Sequence, residues 1–243
     1  MKKRALQKTL AAVLALTLVL SAAGAVLADD GNNAAYTYNE TNEIEGDFDE
    51  IVIVAADDGQ TASLTITGDV TADGGGEAGL FVSAQEEGTA AVHTGDVTNT
   101  DGTAVAVIAM DNANADVLVG DVKATGGDGV EIETNEELSR ADVTTGDITA
   151  DGTGVSVFNR DGTVNVSTGS IEAGEAGVDY FYDWYNDSEE GWTIGPPPVC
   201  ESDITVDGGI TVKTDDPESL ATGVRVGLPA GEITVEVDRK SVV

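Results

Sequence analysis

A short phrase, Thr-Gly-Asp followed by a β-branched residue, returns along this chain at a spacing few folds can use. It stands at Thr67–Val70 and Thr94–Val97, with variants at Val119–Val122, Thr145–Ile148 and Thr168–Ile171 and a worn copy at Asp207–Ile210. The first five glycines, Gly68, Gly95, Gly120, Gly146 and Gly169, lie 27, 25, 26 and 23 residues apart, and Gly208 follows after 39. Self-similarity at about 20–50 residues marks a solenoid, a propeller or an array. A propeller blade takes about 40 residues and four strands, and an immunoglobulin-like sandwich about 100. A unit near 25 residues matches one coil of a parallel β-helix.

Each unit contains three short strands separated by Gly/Asp/Asn turns. In one copy these are "GDITA", "VSVFN" and "VNVST", with "DGTG" and "RDGT" between them. Val155 and Val157 alternate, as do Val164 and Val166, and their counterparts are Val105 and Val107, Val130 and Ile132, and Val224 and Val226. Period two places each set on one face of a strand. A single coil cannot bury such a face; stacked coils about 4.8 Å apart bury it continuously and pair their backbones. In four copies the apolar residues flanking the glycine are five apart, as in Val92 and Val97. The inward face therefore changes parity across Thr-Gly-Asp, which a corner or bulge allows and a straight strand does not. In the first and last copies the apolar residues keep one parity (Leu64, Ile66, Val70; Ile204, Val206, Ile210), and a straighter strand is expected there.

Residues 1–28 have the layout of a secretory signal peptide: Lys2, Lys3, Arg4 and Lys8, then the apolar "LAAVLALTLVL", then small residues at Val26 and Ala28. A bacterial exported protein is the expectation, without membrane insertion after cleavage. Loss of those four cations takes the formal net charge from −34 to −38. Such an acidic surface repels nucleic acid and anionic membranes and attracts cations and basic partners. The one cysteine, Cys200, rules out an internal disulfide and is expected either to pair with another chain or to be buried. Residues 29–46 are polar and acidic and are expected to form a linker or loose N-terminal cap. The repeat domain is expected over 47–243, with an aromatic-rich insertion at 179–202.

The units "TGDVTADGxG…V-x-V…GT-x-x-V" resemble those of secreted right-handed parallel β-helix proteins, the pectin-lyase-like and adhesin passenger repeats, and most of all the Gly/Asp/Thr/Val-rich proteins exported by anaerobic Firmicutes. That resemblance implies an all-β right-handed parallel β-helix of about six to seven coils behind a signal peptide. It does not choose a function, because such folds serve polysaccharide lyases, glycosidases and non-catalytic adhesins alike. The Gly-His-Gly and Arg-x-Lys patterns of the glycosidase members are missing. The sole histidine, His93, is expected on a strand surface, and the basic residues after the leader are scattered through different coil positions.

Three sets of residues are candidates for a site. The residue after each glycine is Asp69, Asp96, Asp121 and Asp147, then Ser170. Stacked in register, these carboxylates repel by roughly 0.9 kcal/mol per neighbouring pair in water. A calcium ion, with its oxygen ligands, would relieve that; equally, aspartate suits the corner and keeps the surface soluble. Thr67, Thr94, Thr145 and Thr168 form a second row, whose hydroxyls are expected to hydrogen-bond along the stack. The insertion gathers Tyr180, Phe181, Tyr182, Trp184, Tyr185 and Trp192, rings able to stack on sugars or anchor a protein partner. The same rings would also serve to cover a sheet.

The resulting expectation is a secreted or cell-surface, adhesin-like β-solenoid scaffold. It would be non-catalytic and need no cofactor, unless calcium stabilises the column. Its expected partners are a glycan or an extracellular protein, and its open ends make end-to-end self-association a further expectation. The rival reading is a carbohydrate-active β-helix enzyme, which convergent Asp with Arg or Lys on one sheet would favour.

Overall fold

Strands of three to seven residues with alternating burial wind into a column with three sides. The computed structural model describes residues 34–182 apart from 74, 137 and 161, together with 201–213, 222–227 and 232–237. All described regular structure is β.

The first sheet holds β1 (Ala34–Tyr38), β3 (Ile51–Ala56), β6 (Leu80–Ala84), β9 (Val105–Ala109), β12 (Val130–Thr134), β15 (Val155–Asn159), β18 (Ala176–Tyr182) and β21 (Thr222–Gly227). The second holds β2 (Thr41–Ile44), β4 (Thr61–Ile66), β7 (Thr89–His93), β10 (Asn114–Leu118), β13 (Arg140–Thr144), β16 (Thr163–Thr168), β19 (Glu201–Val206) and β22 (Glu232–Val237). The third holds β5 (Val70–Ala72), β8 (Val97–Gly102), β11 (Val122–Gly126), β14 (Ile148–Ala150), β17 (Ile171–Ala173) and β20 (Ile210–Val212). Every strand pairs in parallel with its counterpart one coil away, so the chain forms a β-solenoid of about six full turns.

Register keeps like on like. Val130 lies between Val105 and Val155, and Ile132 between Val107 and Val157. Val117 lies between Val92 and Val143, and Val122 between Val97 and Ile148. These residues belong to one buried cluster that runs through the column. A slip of one residue would turn each valine row outward, so the core itself fixes the register.

Two sequence expectations change. The stretch 29–46 carries β1 and β2, an additional coil stacked on β3 and β4. Its pattern is hidden because polar residues take inward positions: Thr37 is fully buried and accepts a hydrogen bond from Asn42. The first and last repeats also turn the corner rather than running straight, since β4 and β5 lie in different sheets, as do β19 and β20. One extra residue in each corner, such as Thr67 after Ile66, restores the parity.

The boundary of the insertion also moves. Residues 179–182 complete β18 and residues 201 and 202 begin β19, leaving 183–200 outside the described residues. Tyr180 pairs with Val157 and occupies its inward row, fully buried. Room for the larger ring comes with Ser202, which stands in the row of Val164. The Tyr180 hydroxyl and Ser202 Oγ are 2.8 Å apart, and Asn159 Nδ2 donates to the same Ser202 oxygen at 3.3 Å.

Truncation of this ring tests its place in the core. Tyr180→Ala is expected to cost about 3–5 kcal/mol, whereas Tyr180→Phe, which removes one hydrogen bond and no volume, is expected to cost about 1 kcal/mol. Urea midpoints of the two variants give the comparison. A neutral Tyr180→Ala would place the ring outside the core.

Candidate functional surface

The corner between the second and third sheets explains the Gly-Asp pair. At each level the aspartate side chain turns toward the next coil, and its Oδ1 accepts the backbone N–H of the next aspartate. Asp69 accepts from Asp96 at 2.9 Å, Asp96 from Asp121 at 2.8 Å and Asp121 from Asp147 at 2.8 Å. Asp147 accepts from Ser170 at 2.7 Å. The carboxylate oxygen occupies the space a Cβ would need on the following glycine: Asp69 blocks Gly95, Asp96 blocks Gly120 and Asp121 blocks Gly146. Glycine and aspartate therefore form one joint, the aspartate of one coil fitting the glycine of the next.

The joint begins one coil earlier than the repeat suggests. Asp47 accepts from the Asp69 N–H at 3.1 Å and fills the space beside Gly68. The signal was present as Gly46-Asp47-Phe48, a copy of Gly-Asp followed by an apolar residue. Backbone bonds between successive glycines, Gly95 to Gly68 and Gly120 to Gly95, run beside the carboxylates. Asp69, Asp96, Asp121 and Asp147 thus each hold the backbone of the following coil. Among the described residues no three His, Cys, Asp or Glu side chains gather as a metal site.

The threonines beside the ladder face the column. Thr94, Thr145 and Thr168 are buried; Thr145 donates to Thr168 Oγ1 and Thr94 donates to the Gly68 carbonyl. Thr67, the extra corner residue, is exposed. His93 stands exposed on the outer face of β7, beside a shallow depression between Ser63, Thr65, Asp116 and Leu118.

The six aromatic candidates separate. Tyr180 points into the core, while Phe181, the next residue, points outward and is 40% exposed. Tyr182 ends β18. Its side chain, and Trp184, Tyr185 and Trp192, lie outside the described residues.

Phe181 is one of a row of outward residues on the first sheet. That face carries Ile53, Phe81, Ala106, Ile108 and Phe158 as well, whereas the outward positions of the third sheet include Thr71, Thr98, Lys123, Thr149 and Glu172. The second sheet is similarly polar, with Ser63, Asp116, Asp142 and Asn165 outward. Ala55, Ala106 and Ile108 are buried yet stand outside the core cluster, and β9 is buried at all five positions. The sequence hides this face because its members come from different coils and meet only through register.

Charges are set into the apolar strip. Glu131 and Glu133 are the outward residues of β12, in the rows of Ala106 and Ile108. Burial pushes the Glu131 carboxyl up to about 7, with Asp128 and Glu133 adding repulsion. Burial also raises Glu133, against the opposing pull of Arg160. The Arg160 guanidinium lies 5.2 Å from the centre of the Phe158 ring, a cation–π distance. Farther along the strip Arg225 bonds Asp179 at 2.9 Å.

Compared with known proteins, the chain matches no family model, no curated protein and no solved structure.

The Gly-Asp joint predicts non-additive mutations. Asp96→Ala removes a charged hydrogen bond and is expected to cost about 1.5–3 kcal/mol. Gly120→Ala forces its methyl group against that carboxylate. In the Asp96→Ala background the same Gly120→Ala is expected to cost less, giving a coupling energy of about 0.5–3 kcal/mol in a double-mutant cycle. Strict additivity would mean that the two residues do not share a joint.

Glu131 predicts a pH effect. Its folded pKa is above the unfolded value, so the stability linked to its protonated form is full below the unfolded pKa, about 4.5, and is lost as pH rises through about 7. Glu131→Gln is expected to flatten the fall in urea midpoint over that window. An unchanged pH profile in the variant would locate the titration elsewhere.

Proposed function

We propose that this chain is a secreted or cell-surface, non-catalytic β-solenoid scaffold with an adhesin-like binding role, and that the outer face of the first sheet is where it meets a glycan or extracellular protein. The observation carrying this reading is the contrast among the three sides. Two outer faces carry mainly polar residues, while the third presents Phe81, Phe158 and Phe181 interspersed with carboxylates. Aromatic rings beside acids suit hydroxyl-rich or cationic ligands, whose apolar patches stack and whose polar groups find acceptors. Phe181 also leads directly toward Trp184 and Tyr185 in sequence.

The distribution of cations supports a scaffold over an enzyme. Lys123 stands on the third sheet, Arg140 on the second, Arg160 beyond the end of β15 and Arg225 on the first. Arg140, Lys213 and Arg225 each already bond a carboxylate, namely Asp142, Glu172 and Asp179. A second reading, a carbohydrate-active enzyme, draws on Glu131 and Glu133. Two carboxyls on one strand face, both raised by burial, provide what a general acid requires.

One experiment addresses both readings. The leader-free chain is screened for binding to a glycan array and to extracellular proteins, and in parallel for release of sugar products from polysaccharides. Binding that is lost in Phe158→Ser/Phe181→Ser, kept in Leu118→Ser on the second sheet, and accompanied by no product is the expected outcome. Product formation abolished by Glu131→Gln would replace the scaffold reading with the enzymatic one.

A further inference from the structure

The charged groups on the outer face of the first sheet follow a pattern with one gap. One outward row runs Ile53, Phe81, Ala106, Glu131, Ser156, Asp179 and Arg225, one residue per coil. The row beside it runs Ser83, Ile108, Glu133, Phe158 and Phe181. Glu131, Glu133 and Asp179 are the carboxylates of these two rows, and two of them have a cation of this chain close by. Asp179, 6% exposed, accepts a hydrogen bond from Arg225 at 2.9 Å. Glu133 is under the pull of Arg160, whose guanidinium lies 5.2 Å from the centre of the Phe158 ring. Glu131 is the third. Among the described residues the charges acting on it are Asp128 and Glu133, both acids.

Register sets the place where a cation would complete the pattern. Ser156 stands directly beside Glu131 on one side and Asp179 on the other. Neighbouring strands are about 4.8 Å apart, so a positive group above Ser156 is within reach of the Glu131 carboxylate. Ser156 is half-buried and short, which leaves space above it. On the far side of Glu131, Ala106 is only 5% exposed, and that approach is closed. Phe158, two residues along from Ser156, faces the same way and already carries a guanidinium on its ring. The chain's own arginines thus show the chemistry this face holds: a cation on a long stem, set against a carboxylate or a ring. Charge complementarity asks for the same group at Glu131, from outside.

We propose that Ser156 marks a seat for a lysine or arginine side chain of a basic extracellular protein, bound by the Glu131 carboxylate with Phe158 beside it. This rests on the reading of the first sheet as the binding face and gives that face a partner chemistry. The ammonium or guanidinium donates to Glu131, and its apolar stem lies over Ser156 and along the Phe158 ring. Ionised Glu131 is the form that binds. Burial raises this carboxyl to about 7, so docking strengthens as pH rises through that value. The groups around it are Ala106 and Ile108 on β9, Ser156 and Phe158 on β15 with Arg160 after it, Glu133 on β12, and Asp128 in the preceding turn. Glu133, also raised, titrates in the same sense and adds to the effect.

Labelled tetralysine is titrated with the full chain in about 0.15 M salt, which screens diffuse attraction, and a glucosamine tetramer serves as second probe. Tetralysine is expected to bind roughly tenfold more tightly at pH 8 than at pH 5.5. Glu131→Gln should weaken it about tenfold, and Asp116→Asn, the same charge change on the second sheet, less than about twofold. Ser156→Lys puts the chain's own ammonium beside Glu131 and should abolish binding at pH 8. Ser167→Lys, on the second sheet, should not. Circular dichroism checks that each variant keeps its β signal. No binding of tetralysine at either pH, equal losses within each pair of variants, or binding that survives Ser156→Lys would overturn the proposal. So would a glucosamine tetramer held more tightly than tetralysine, which would assign the cation to a glycan. Binding lost in Phe158→Ser/Phe181→Ser but untouched by Glu131→Gln would remove this seat and leave the face; indifference to both would remove the face as well.

Discussion

Each coil lends one carboxylate to the backbone of the next. This contact adds a second fixed point at each corner to a register that the inward rows already set. The Asp96 oxygen has a single donor to meet, the Asp121 N–H, and a single void to fill, beside Gly120. Asp47, Asp69, Asp96, Asp121 and Asp147, five of the 45 acidic residues, join neighbouring coils, and their mutual repulsion is offset by one charged hydrogen bond per level.

Much of this was legible from the amino acids because the inward rows are apolar with period two and the corners carry glycine. The strands at Val155–Asn159 and Thr163–Thr168 follow directly from that pattern. Legibility failed where an inward place is polar. Thr37 and Asn42 conceal the first coil, and Asn99, buried in the third sheet where other coils place alanine, would have been assigned to the surface. It is held by the carbonyls of Glu77 and Thr103, partners no periodicity shows. Tyr180 was grouped with its aromatic neighbours although Val178 and Tyr180 keep the alternation of their strand. Composition drew attention to the segment, and parity assigned the residue.

The outer faces were less legible than the core. Ile108, Glu133, Phe158 and Phe181 are distant in sequence and adjacent in the first sheet. A strip of this kind is a property of the stack rather than of any coil. Its chemistry varies from level to level while the inward rows stay constant, which is how a repeat protein obtains one-sided individuality from nearly identical units.

The three corners differ in how much change they accept. All described residues other than glycine with positive φ, from Asn39 and Asp58 to Glu86, Glu87, Asp111, Asn112 and Glu136, lie between the first and second sheets. Side chains there stand in left-handed backbone, and Asn39 donates to the Asp57 carboxylate of the next coil at 3.1 Å. The Gly-Asp corner has no such latitude, because an added atom collides and an added residue must be absorbed, as at Thr67. A lineage of such columns would therefore be expected to vary its sequence and length along one ridge. Strands β18 and β19 flank that same ridge, and 183–200 lie between them in the sequence. One edge of the prism works as a ruler and another as a margin on which new text can be written.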